Sequence, residues 1–121
     1  MGVVKHLMLF FLIILGGIGC ATSTSLYSWG TYDSDMYQYY KNPDSRESLM
    51  LNLSTLIDSA EQNQTIPPGI YAEYGYLLLE AGNPSDALVY FEKEKSKWPE
   101  STIIMDKMIE VSGSAVSQQK N

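Results

Sequence analysis

The sequence predicts an all-α protein, and three observations predict it. Apolar residues in the second half recur at helical spacing, no stretch alternates long enough for a strand, and Pro, Gly and Asn break the chain about once per helix length. Asp33, Ser34 and Asp35 offer caps for a short helix from Met36 to Lys41, which Asn42-Pro43 stops. Leu49, Leu53, Leu56, Ile57 and Ala60 then fall at i, i+4, i+7, i+8 and i+11. They form the stripe of a helix from about Ser45 to Gln62, with Asp44 and Glu47 at capping-box spacing. A polar loop ends in Pro67-Pro68, and Pro68 opens a helix from Gly69 to Ala81. Gly82-Asn83 ends it. Asn83 is placed to cap the next helix, with Pro84 at its first position. That helix is expected to bury Ala87, Leu88 and Phe91 and to stop at Trp98-Pro99. A last amphipathic helix runs from about Ser101 to Val111 and presents Met105, Met108 and Ile109. The final ten residues, 112–121, lack an apolar stripe and are expected to be a flexible tail.

The start of the chain reads as a processing signal. Lys5 and His6 precede an unbroken apolar run from Leu7 to Leu15; Gly16-Gly17-Ile18-Gly19 and then Cys20 follow. A basic start, a short apolar run and small residues describe a secretory signal. The cysteine directly after them makes it a lipoprotein signal, because the Cys20 thiolate is the nucleophile that takes the lipid. The run is too short to span a bilayer, which needs about 20 apolar residues. Gly17 stands where such signals usually carry Leu. The expected organisation is a signal peptide over 1–19, a lipidated Cys20 with tether and aromatic arm over 20–34, a helical domain over 35–111 and the tail. Ala21, rather than Asp, follows the cysteine, so by a sorting rule of enteric bacteria the expected location is the periplasmic face of the outer membrane.

Composition excludes much chemistry. The whole chain has a formal charge of −6, and loss of Lys5 with the signal makes it one unit more negative. Such a chain is a poor partner for nucleic acid or anionic lipid, so the lipid must do the anchoring. His6, the only histidine, leaves with the signal, and Cys20, the only cysteine, is acylated. Catalysis by Ser-His-Asp or Cys-His is therefore excluded, as are Cys/His zinc sites. No catalytic residue, metal or cofactor is expected. Asp33 with Asp35, and Asp58 with Glu61, read as capping or solvated carboxylates. Lys93, Lys95 and Lys97, alternating with Glu92 and Glu94, read as a solvated face.

The pair of helices joined by Gly82-Asn83 resembles one tetratricopeptide unit. Tyr71 stands at the unit's first aromatic position, Tyr74 and Gly75 at its Leu-Gly pair, and Leu78 at the later aromatic. Ala87 takes the small crossing position, Phe91 the aromatic four beyond it, and Pro99 the terminal proline. Glu94 departs from the pattern, standing where the unit usually has Ala. Only this unit matches well, and a solenoid needs about three to be stable alone. The expected domain is therefore tetratricopeptide-like and leans on a partner or on itself.

Three blocks carry a wider resemblance: Leu26 to Tyr32, Pro67 to Leu79, and Phe91 to Lys95 with Trp98 to Ser101. They resemble a family of small Gram-negative lipoproteins of unknown function. Members are often encoded beside a lipoprotein similar to CsgG, the curli secretion channel. The resemblance implies an envelope complex and assigns no reaction.

The expected function is therefore a non-enzymatic adaptor or scaffold in an outer-membrane complex with a CsgG-like lipoprotein. The alternatives are a carboxylate-dependent cell-wall hydrolase and a self-associating structural lipoprotein. Tyr27, Trp29 and Tyr32 are the first candidates for partner contacts, since Tyr and Trp dominate interface hot spots. Gly30 suggests a fixed turn that presents Trp29.

Overall fold

A computed structural model describes residues 25–120 of the chain. The expected signal peptide, residues 1–19, and Cys20 lie outside the described residues. Among the described residues the protein is all-α, with five α-helices and no strand. These are α1 (Tyr32–Lys41), α2 (Arg46–Gln62), α3 (Ile70–Glu80), α4 (Pro84–Lys97) and α5 (Thr102–Gln119). Single 3-10 turns, Pro43–Ser45 and Pro99–Ser101, precede α2 and α5.

Several helix starts differ from the sequence expectation, because the backbone uses other partners. α1 begins at Tyr32, ahead of Asp33 and Asp35, which lie inside its first turn and oppose the positive end of the helix dipole. Thr31 precedes the helix, and its hydroxyl donates to Asp35 Oδ2 at 2.7 Å. The Asp44–Glu47 capping box does not form; the Asn42 side chain instead accepts the Asp44 N–H at 3.3 Å. Pro68 lies in the turn before α3 rather than in its first turn. Asn83 caps α4 with its backbone carbonyl, which accepts the Ala87 N–H at 3.1 Å, and not with its side chain. Leu88 is only half-buried and lies outside the core.

The last helix is the largest difference. It continues through the expected tail to Gln119, and Ser112 is fully buried in it. Met105 and Ser112, seven residues apart, are the two residues of α5 that the fold buries. Gln119 Nε2 donates to Gly82 O at 3.0 Å and ties the far end of α5 to the α3–α4 turn. Lys95 and Asp106, 2.6 Å apart, link the other ends of α4 and α5. The two helices are thus antiparallel.

The core has two parts. Leu49, Leu53, Ile57 and Ala60 of α2 meet Ile66, Ile70, Tyr71 and Leu77, and Tyr32, Met36 and Tyr39 of α1 pack on them. Leu78, Ala87, Phe91 and Met105 join α3, α4 and α5. Met50, Tyr74 and Tyr90 touch both parts. A Cβ on Gly75 would lie 2.9 Å from Phe91 Cε1 and 3.2 Å from Ala87 O. The missing side chain is what lets α3 and α4 close on each other.

Candidate functional site

The aromatic arm lies against the helices. Ser28 N–H donates to Thr65 O at 3.1 Å, which joins the arm to the α2–α3 loop. Gly30 then turns the chain at φ +50°, a conformation that L side chains rarely adopt. A Cβ there would stand 2.9 Å from Leu56 Cδ1, so the turn also sits tight on α2.

This turn separates the three arm candidates. Tyr27 meets Trp98 edge-on, with ring centroids 5.7 Å apart, and is half-buried. Tyr32 is half-buried on the α2–α3 core. Its phenol is pushed above the ordinary value by burial first, then by Glu73 and Asp33. Trp29 tilts over Tyr32 at 5.7 Å and remains 38% exposed. Two aromatics that the sequence offered no reason to rank higher are far more open. Tyr37 is 58% and Tyr40 82% exposed, and Tyr37 meets a cation, Lys41 Nζ at 5.6 Å from its ring centre.

Of the positions aligned to a tetratricopeptide unit, Gly75, Leu78, Ala87 and Phe91 lie where α3 meets α4. Tyr71, Leu78, Ala87 and Phe91 are buried, and Tyr74 meets Tyr90 edge-on at 4.7 Å. Pro99 is exposed and opens the turn before α5. Tyr71 also donates its hydroxyl to Glu61 Oε1 at 2.7 Å, and Lys93 Nζ reaches the same oxygen at 2.8 Å. These contacts hold Glu61 below the usual carboxylate range, Lys93 first and Tyr71 second. Burial and the Glu61 bond push the Tyr71 phenol well up. The end of α2 is thereby fastened to both α3 and α4.

Glu94 corrects the expectation of a solvated charged face. It is 2% exposed, and its Oε1 accepts the Gly69 N–H at 2.7 Å. Burial raises its pKa above the ordinary carboxylate value, while the N–H groups of Gly69, Ala72 and Tyr71 act in the opposite direction. Oε2 itself has no donor in hydrogen-bonding geometry among the described residues. Gly69 has no side chain to cap α3, so α4 supplies the acceptor that this helix start needs. The signal was available in the sequence: a helix opened by Pro-Pro-Gly, and a carboxylate at a position that usually carries Ala.

Glu73 is a second carboxyl held above its ordinary value. It is half-buried on α3, and burial first, then Glu80, raises it. Among the described residues no helix is long and apolar enough to cross a membrane.

Nothing among curated proteins and nothing among solved structures matches the chain. A family model does match, over residues 26–108, from the arm through four helices and into the fifth. The chain therefore belongs to the DUF4810 family, a domain of unknown function.

Proposed function

We propose that the chain is a non-enzymatic lipoprotein, anchored through Cys20 at the periplasmic face of the outer membrane, that acts as an adaptor in an envelope complex. The observation that carries this reading is the run of exposed aromatics beside the tether. Trp29, Tyr37 and Tyr40 lie open on the arm and on α1, a short distance along the chain from Cys20. Large aromatic side chains left in water are the usual anchors of a protein contact. A partner tied to the same leaflet meets them at high effective concentration. The α3–α4 pair reads as one tetratricopeptide-like unit, a scaffold suited to this task. The sequence blocks quoted above make a CsgG-like lipoprotein the partner of choice.

The test is capture from membranes with the lipid intact. The wild type should recover an envelope lipoprotein, and the Trp29→Ala, Tyr37→Ala, Tyr40→Ala variant should lose it while keeping its helical circular dichroism. Tyr32 is spared because it packs on the core. Recovery of the same partner by the folded variant refutes the aromatic contact. A fatty-acid label should appear on the wild type and vanish in Cys20→Ser, and density-gradient fractions should place the protein with the outer membrane.

A further inference from the structure

We propose that the open flank of α5 is a contact surface for a second copy of this chain, helix against helix in antiparallel register. Ile104, Met108, Val111 and Ala115 occur at i, i+4, i+7 and i+11 and share one flank of the helix. Ile104 is 65% and Val111 52% exposed, while Met108 and Ala115 are half-buried at the row's inner edge. Alternating steps of four and three are the seam of paired helices.

The row is also a palindrome: its steps are four, three, four in either direction. A two-fold axis between positions 109 and 110 sets Ile104 against Ala115 of the second copy, and Met108 against its Val111. Each contact then occurs twice, as a closed symmetric interface requires. A long side chain faces a short one at both ends of the seam, which lets the helices approach.

Charge favours the second copy over other occupants. The chain carries −6 overall, so two copies repel across most of their surfaces. On this flank Lys107 and Glu110 pair at 2.9 Å within the helix and leave it neutral. In the antiparallel register Lys107 of one copy lies on the same side of the seam as Glu110 of the other. A strongly basic or acidic partner would gain nothing here.

The contact is small. An 18-residue helix is about 27 Å long, and one helix pair buries less than the roughly 1,200 Å² of a standard interface. Dimerisation is therefore concentration-dependent, and anchoring to one leaflet raises the local concentration. Its population in the cell rests on the lipid anchor proposed above; its register does not.

The experiment uses the full chain carrying Met108→Cys with one tag and Val111→Cys with another, expressed together and treated with a short bismaleimide. Mixed dimers should exceed, several-fold, those of an Asp58→Cys and Asp86→Cys pair on exposed faces of α2 and α4. Adding Val111→Glu to an Ile104→Cys and Ala115→Cys pair should lower the mixed dimer about tenfold with circular dichroism unchanged. A yield at the control level, both in membranes and in concentrated detergent solution, overturns the proposal. So does Ile104→Cys linking to itself as efficiently as to Ala115→Cys, which would mean parallel helices. Linking of the wild type through Cys20 reports a free thiol and counts against the anchor alone.

Discussion

Glu94 Oε1 accepts the Gly69 N–H at 2.7 Å, so the carboxylate of α4 closes the N-terminus of α3. Removing it by Glu94→Ala leaves the first amides of α3 without that acceptor and opens a gap beside them. The expected cost is about 1–3 kcal/mol, read as a lower melting temperature. The pH dependence has a definite sign. Burial holds the folded value above the unfolded one, so the contribution is complete below the ordinary carboxylate range and is lost as pH rises through the raised value. Glu94→Gln keeps the shape without the titration. The melting temperature of the wild type relative to Glu94→Gln should fall between pH 4 and neutrality, and a constant difference refutes the assignment.

Glu61 should show the opposite slope. Lys93 and Tyr71 hold its carboxyl below the unfolded value, so this contribution is present at neutral pH and is lost on acidification through the depressed value. Lys93 and Glu61 are both well exposed, so solvent screens the pair and its worth is about 0.2–1 kcal/mol. Melting Glu61→Gln beside the wild type from neutral pH into acid should show the gap between them closing.

Gly75 against Phe91 sets the spacing of α3 and α4. Gly75→Leu puts a side chain where even a Cβ would stand 2.9 Å from the Phe91 ring. Ala87→Leu overfills the same contact from the other helix, at a site with no exposure. Each is expected to cost about 1–3 kcal/mol or more. In a domain of this size that lowers the melting temperature by several degrees. Either variant melting like the wild type would mean that the two helices do not close at this point.

Gly30→Ala tests whether the arm is held by its turn. The substitution forces a side chain into a left-handed conformation, at about 1–2 kcal/mol, and presses it on Leu56. The arm should lift from α2 while the helices stay folded. Hydrogen exchange at the Ser28 amide, bonded to Thr65 O in the native arm, should accelerate more than exchange at Leu53 in the core of α2. Equal protection in variant and wild type would show that the turn does not hold the arm.

The residues alone determined the helices and much of their inner faces. Leu49, Leu53, Ile57 and Ala60 are buried at the spacing the stripe predicts, because helical periodicity is a local property and places i, i+4, i+8 and i+11 on one side. Pro84 at the head of α4 and the turn at Gly82-Asn83 were legible for the same reason. That His6 is the only histidine and Cys20 the only cysteine is likewise a statement about the chain itself. Only tertiary structure decided which polar residues go inside. Glu94 looks like one more charge on a solvated helix until Gly69, twenty-five residues earlier, brings it an N–H to accept. Ser112 looks like the start of a polar tail until the packing of α5 encloses it. Tyr32 and Tyr37 are the same residue type five positions apart, yet one packs on α2 and α3 and the other faces water. Burial depends on what lies across the gap, and contacts between distant segments leave no periodic trace in the sequence.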